Sequence, residues 1–177
     1  MKKIVYTLCV LSMTALIALI GCKKSSEEPI KDEQIVGSWE IHRVEGSIII
    51  DILGKPITVP IKGTLSEVAV IVEDFKKLVP EDKREILNTI TAMIDLAKMA
   101  DIKFNSDHTF AGTNIPIYGM MLGTWSLSGN DVTVKYLDDL KEQSLILNYT
   151  DGKLNYHLIT EDKEGMSSDI TIILAKK

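Results

Sequence analysis

The chain has 177 residues, a length typical of one domain, and 45% of them are hydrophobic, enough for a core that needs no disulfide or metal. Its 25 acidic residues outnumber the 20 basic ones and give a net charge of −5. An acidic chain without a cluster of lysine and arginine argues against nucleic acid as a partner, because phosphates are contacted by those cations.

The first residues predict a secretory signal. Met1-Lys2-Lys3 is a basic start, and the run from Ile4 to Ile20 contains no charge. Leu19-Ile20-Gly21-Cys22 then resembles the lipobox of bacterial lipoproteins, position by position. The resemblance implies cleavage between Gly21 and Cys22 and a mature N-terminus at which Cys22 carries lipid.

Lipid on Cys22 would anchor the protein to a membrane. One acyl chain holds a protein only marginally, whereas the several chains that the resemblance implies, palmitate among them, hold it stably. The expected location is the cell envelope, at the outer membrane, on either its periplasmic or its surface face. An uncleaved transmembrane helix is the alternative, although Ile4 to Ile20 falls short of the about 20 residues that a span needs.

Cleavage would change the composition of the mature protein. Removal of 21 of the 177 residues leaves 156, and the loss of Lys2 and Lys3 moves the net charge from −5 to −7. Cys9 would leave with the signal and Cys22 would carry lipid, so no free thiol remains for a disulfide, thiolate catalysis or a thiolate metal site.

Residues 22–33 predict a flexible, polar tether, and residues 34–177 a single folded domain. Ser25-Ser26-Glu27-Glu28 resembles the acidic segments that direct some Bacteroidetes lipoproteins to the cell surface. A plain solvated linker explains the same residues equally well.

The folded domain is expected to begin with three strands. Residues 35–44 predict the first, with Trp39 and Ile41 on one face, and residues 47–53 predict the second. Residues 57–61 predict the third, which Pro56 and Pro60 restrict to an edge or a broken pairing.

An insertion of two helices is predicted at about residues 64–101. Thr64 and Glu67 form a candidate capping box for the first helix. The second is expected to run from Pro80 to about Ala100. Apolar residues recur at spacings of three and four in both, namely Val68, Ile71, Val72, Phe75, Leu78 and Val79 in the first and Ile86, Leu87, Ile90, Met93, Ile94 and Ala97 in the second.

From Ile102 onward the pattern alternates again and predicts an antiparallel meander. Turn residues separate the strands, and Asp151-Gly152 is the strongest hairpin signal in the chain. Roughly eight to ten such strands would close a barrel able to hold one small ligand. The predicted strands lie at 102–104, 109–111, 122–127, 132–136, 145–149, 154–158 and 170–174.

Three motifs carry a family resemblance. Gly37-Ser38-Trp39 opens the first strand as the Gly-x-Trp of lipocalins does, and Gly123-Thr124-Trp125 repeats it. Residues 104–110 resemble the Phe-Asn-x-Asp-Gly-Thr-Phe hairpin of bacterial lipocalin-like lipoproteins, with His108 in place of the glycine. Over residues 35–46 and 102–174 the chain therefore resembles the lipocalin-like lipoproteins of Bacteroidetes.

The fold class expected is mainly β (α+β with insertion): an antiparallel lipocalin-like β-barrel that carries the two-helix insertion. In it, Gly37 and Gly123 would let backbones approach closely, and Trp39 and Trp125 would plug one end of the barrel. Direct contact of either tryptophan with a ligand is the less favoured alternative.

No pattern of catalytic or metal-binding residues emerges, so we expect no enzyme activity, no cofactor and no metal. His42, His108 and His157 are far apart and lack the spacing of metal ligands, and no Gly-x-Ser-x-Gly elbow occurs. The acidic residues of the helical region and of Asp138-Asp139 could serve glycoside chemistry as a pair. Surface charge on an acidic domain explains them better.

The apolar stretch Ile115–Leu122 admits two interpretations. It could be core beneath the helices, or an adaptable lining for an apolar ligand. The function that the sequence favours is a non-enzymatic lipoprotein binding a small apolar or amphipathic ligand, the ligand-binding residues being unassigned. The alternative is a filled barrel that serves as a structural or protein-interaction module.

Overall fold

The computed structural model describes residues 30–52, 54–81, 84–115, 118–161 and 166–177. The helices in these ranges are α1 Asp32–Ile35, α2 Leu65–Lys76 and α3 Arg84–Lys98. The strands there are β1 Gly37–Ile52, β2 Lys55–Gly63, β3 Asp101–Phe104, β4 Thr109–Ile115, β5 Gly119–Ser128, β6 Asp131–Asp138, β7 Lys141–Thr150, β8 Lys153–Glu161 and β9 Met166–Lys176.

Eight of these strands form a closed antiparallel barrel. β1 pairs with β3, each later strand pairs with the next, and β9 returns to β1. β2 lies outside this circuit and pairs only with the second half of β1, from Val44 to Ile52. The predicted mainly β barrel with a two-helix insertion is confirmed, and so is the edge position that Pro56 and Pro60 predict for β2.

The prediction of two separate strands at 35–44 and 47–53 is wrong, because one strand of 16 residues runs through both. Gly46 does not turn the chain but pairs with Ile61 on one side and Ile170 on the other. A Cβ there would lie 2.1 Å from the Asp169 carbonyl oxygen, so glycine permits the close approach of β9. The helices consequently follow the second strand instead of the third.

The segment before β1 is a short helix. Ile35, predicted to open the first strand, ends α1 and is fully buried. Its carbonyl oxygen accepts the indole N–H of Trp39 at 2.8 Å, so α1 is held against the barrel. The predicted signal, the cleavage site at Gly21 and Cys22, the lipidation site at Cys22 and most of the tether lie outside the described residues.

The helical insertion begins with the predicted capping box. The Thr64 amide donates to the Glu67 carboxylate at 2.7 Å, and the Glu67 amide donates to the Thr64 hydroxyl at 3.4 Å. Helix α2 ends at Lys76, which leaves Leu78 79% exposed and off the predicted apolar stripe. Pro80, the predicted start of the second helix, lies before α3, which is described from Arg84 to Lys98; residues 82–83 are not described.

The barrel has two dissimilar ends. One, which we call the closed end, carries α1 and the turns at 105–108 and 128–131. The other carries the connections at 115–119 and 138–141. One hydrophobic core fills the closed end, and a second joins α2 and α3 to β1 and β2. No helix in the described ranges is long and apolar enough to cross a membrane.

Candidate functional site

A cavity of about 220 Å³ separates the two hydrophobic cores. The strands supply its wall through their inward-facing side chains, as the alternation of a barrel requires. The helices supply its roof. Their contribution consists of apolar side chains only, namely Leu65, Val68, Ile90, Met93, Ile94 and Ala97. The helical insertion therefore covers one side of the cavity and is part of the site.

Aromatic rings form the floor of the cavity and fill the closed end beneath it. Phe104 and Phe110 line the cavity, with ring centroids 5.1 Å apart. Phe104 also meets Trp39 at 6.4 Å and Trp125 at 5.8 Å, both edge to face. Trp125 donates its indole N–H to the Asn105 carbonyl oxygen at 3.0 Å. Such pairs are favourable beyond the area that they bury, so this end is firmly packed.

The two Gly-x-Trp motifs lie at this closed end, on β1 and β5. Trp39 is 0% exposed and Trp125 is 3% exposed, and neither is among the residues that line the cavity. A Cβ on Gly123 would lie 1.9 Å from the Lys135 carbonyl oxygen on β6. Gly37 instead adopts a φ of +136°, a conformation that side chains disfavour. The two glycines thus serve different steric needs.

The few polar groups of the lining are hydroxyls, and they occur in pairs. The Tyr118 and Tyr156 hydroxyl oxygens lie 3.1 Å apart, and those of Thr160 and Ser168 lie 2.7 Å apart. Burial, followed by the neighbouring Tyr118 hydroxyl, raises the pKa of Tyr156 well above its ordinary value. Burial also raises the pKa of Tyr136, whose ring lies 5.8 Å from that of Tyr118. Tyr156 and Tyr136 are therefore neutral donors at physiological pH.

The backbone pairing of the barrel wall is interrupted between β7 and β8. Their pairing covers only the three residues next to the hairpin and stops at Asn148 and Asn155. Beyond that point each strand remains paired on its other side, with β6 or β9. Cavity-lining residues flank the gap, with Leu145 on β7 and Leu158 on β8. The interruption in strand pairing therefore lies beside the cavity.

The apolar stretch Ile115–Leu122 divides between the two interpretations that the sequence allows. Ile115, Tyr118 and Met121 line the cavity. Met120 and Leu122 instead face outward, 69% and 59% exposed, because side chains alternate along β5. Residues 116–117 are not described.

The three histidines lie apart from one another and outside the cavity lining. His42 is exposed on β1. His108 lies 3.3 Å from Asp32, and His157 lies 2.7 Å from Asp169. Across the ranges that the structure describes, no three histidine, cysteine or carboxylate side chains come close enough to hold a metal.

The predicted acidic residues are also dispersed. Glu67 caps α2, and its pKa is lowered first by the Thr64 amide and then by the Thr64 hydroxyl. Glu73 and Asp74 each pair with a lysine of the same helical segment. Asp139, with a φ of 47°, occupies the β6–β7 turn. The structure therefore brings none of these carboxylates to the cavity.

Sequence reasoning missed which helix residues face the cavity, and it missed the Thr160–Ser168 pair. The stripe of α3 was recognised as apolar, but periodicity cannot tell a residue that fills a core from one that lines a void. In β7, β8 and β9 the alternation of apolar and polar residues did identify side chains that face inward. Leu145, Tyr156 and Ile172, one from each of these strands, all line the cavity.

Comparisons with known proteins add one distant likeness. No family model matches the chain, and no curated protein matches it. The fold is similar to the crystal structure of a DUF4847 family protein from Bacteroides vulgatus, at 17% identity, with 80% of this chain and 96% of that chain covered and a TM-score of 0.39. The likeness is too distant to bear on function.

Proposed function

We propose that the protein is a membrane-anchored, non-enzymatic lipoprotein of the bacterial envelope that holds a small apolar or amphipathic molecule in its barrel. The cavity is the observation that carries this proposal. An apolar cavity of about 150 Å³ is enough to bind one benzene molecule, and the cavity described above is about 220 Å³. The hydroxyls in its lining are paired with one another, which favours binding over catalysis.

The position of the chain's N-terminal side supports an anchored carrier. Residues 30–36 lie at the closed end, where Ile35 packs in the barrel core and Lys176 donates to the carbonyl oxygens of Glu33 and Gln34. A lipid on Cys22, about eight residues earlier, would therefore hold the closed end toward the membrane. The helix-covered cavity would then point away from the bilayer, with the β7–β8 gap free to admit cargo.

Cargo analysis tests the carrier proposal. The protein purified from its native membrane is denatured, extracted with organic solvent and analysed by mass spectrometry. We expect a small apolar or amphipathic compound in stoichiometric amount. An Ala97→Phe variant, which places a ring in the cavity roof, should lose it. Ala92→Phe, at an exposed position of the same helix, should keep it. Equal cargo in both variants, or none in the wild type, contradicts the proposal.

A cysteine substitution tests the anchor. Cys22→Ala should release the protein from membranes or trap its precursor, because the lipid-bearing thiol is lost. Cys9→Ala provides the matched control, since that residue lies inside the predicted signal and takes no lipid. Processed, membrane-bound protein in the Cys22→Ala strain would rule out the lipobox. Protease accessibility in intact cells would then distinguish the surface from the periplasmic face.

A protein-interaction module is the second candidate, and one observation favours it. Leu137 and Leu140 are 70% and 94% exposed, and Leu122 lies beside Leu137 because Gly123 pairs with Tyr136. Exposed apolar clusters of this kind mark interaction surfaces. If the protein is an interaction module, Leu137→Glu should abolish a complex recovered from cells. The carrier requires that variant to retain its cargo.

A further inference from the structure

The described lining of the cavity offers nothing to neutralise a charge. Among the described residues that line it there is no lysine, arginine, histidine, aspartate or glutamate. The hydrogen-bonded pair His157–Asp169 lies on the same two strands as Tyr156 and Ile170 but faces outward, as alternation along a strand dictates. This wall therefore directs the His157 and Asp169 side chains to solvent and its apolar side chains to the cavity.

Because the described lining has no charged side chains, the desolvation free energy of an ionised group opposes its binding in the cavity. A carboxylate moved from water into an apolar site without a partner loses its hydration and is stable there only if it is paired or protonated. Many amphipathic molecules carry such a group. A ligand whose polar group enters this cavity must instead be uncharged.

The tyrosine hydroxyls give the cavity a hydrogen-bonding side. In the Tyr118–Tyr156 pair one hydroxyl donates to the other, and the accepting hydroxyl keeps its own O–H for a third oxygen. Because burial raises the pKa of Tyr156, this phenol stays protonated and remains a donor. A donor beside an apolar lining complements an oxygen acceptor on an otherwise hydrocarbon molecule.

We propose that the cavity selects an uncharged, mainly hydrocarbon ligand with one oxygen acceptor, such as an alcohol, ketone or ester, held by the Tyr118–Tyr156 pair. Carboxylates of the same chain length are discriminated against. The inference rests on the carrier function proposed above and specifies the class of molecule that would be carried.

Four probes of equal chain length test the selection: octane, octanol, the eight-carbon methyl ketone and octanoate. Their affinities for the mature chain carrying Cys22→Ala are measured by calorimetry at a pH where octanoate is ionised. We expect octanol and the ketone to bind most tightly, octane less tightly, and octanoate at least about tenfold more weakly than octanol, a difference of about 1.4 kcal/mol. Octanoate binding as tightly as octanol overturns the selection but leaves a carrier; failure of all four probes contradicts both proposals.

The tyrosine pair is tested by the double variant Tyr118→Phe/Tyr156→Phe, which keeps both rings and removes both hydroxyls, because either hydroxyl left alone could still donate to a ligand. The advantage of octanol and the ketone over octane should disappear, while octane binding is retained. Tyr149→Phe is the matched control, because Tyr149 packs against Trp39 and does not line the cavity. Retained octane affinity shows that each variant is folded. An unchanged preference for octanol in the double variant would refute the role of the pair.

Discussion

The hydroxyl oxygens of Tyr118 and Tyr156 lie 3.1 Å apart and join the β4–β5 connection to strand β8 across the cavity. The two residues are 38 positions apart in sequence. Both tyrosines line the cavity, together with Phe104 at its floor and Ala97 at its roof. The contact links the stability of the barrel to the chemistry of its interior, and it can be tested through both.

Alkaline pH should destabilise the protein through its buried tyrosines. Burial raises the pKa of Tyr156 and Tyr136 above the ordinary value of 10.0. Above that pH the unfolded chain loses phenolic protons that the folded chain retains, so the free energy of unfolding falls as pH rises. Tyr156→Phe should flatten this decline, measured by urea unfolding between about pH 9 and pH 11. Parallel curves for wild type and variant would contradict the prediction.

Filling the cavity should preserve or raise stability. Ala97 is 6% exposed and faces the void, so a phenylalanine there gains contacts without displacing packed atoms. We expect the free energy of unfolding of Ala97→Phe to lie within about 1 kcal/mol of the wild type or above it. Ala92→Phe should change stability little, since that position is exposed. A loss of about 3 kcal/mol in Ala97→Phe would show that the site is already full.

Gly123 should tolerate no side chain. An added methyl would lie 1.9 Å from a backbone oxygen of β6, which cannot move aside by changing a rotamer. Gly123→Ala should therefore cost about 3 kcal/mol or more in thermal or urea unfolding. Gly129→Ala, at a turn with open space and a φ of +60°, should cost only about 1 kcal/mol. Similar losses at both positions would argue against steric crowding.

The capping box should stabilise the helical roof in a pH-dependent way. Thr64→Ala removes the hydroxyl that caps α2 and should cost about 1 kcal/mol at neutral pH. Because the pKa of Glu67 is lowered in the folded state, its contribution is present above the ordinary value of 4.5 and is lost as pH falls through the lowered one. The cost should shrink in acid. Ser66→Ala, on the same turn, should lower the free energy of unfolding less than Thr64→Ala does. An equal decrease in the two variants would contradict the role of Thr64 as the cap.

Much of the fold could be predicted from local patterns. Alternation identified most strands from Ile102 onward, Pro56 and Pro60 identified the edge strand, and Thr64 with Glu67 marked the start of α2. The failures occurred where a tertiary contact overrides a local signal. Gly46 is typical of a turn, yet it lies inside β1 because another strand needs its missing side chain.

The sequence by itself determined the kinds of most elements, most of the faces that they bury and the absence of catalytic spacing, since these depend on neighbours along the chain. It also carries the residues that resemble a lipobox, on which the proposed anchor rests. Only the tertiary structure decided that a void remains between the two cores, that paired hydroxyls border it and that the backbone pairing of the wall is interrupted between β7 and β8. Those features depend on how distant side chains fill space, and a void has no sequence signature because the same apolar residues can line it or pack it shut.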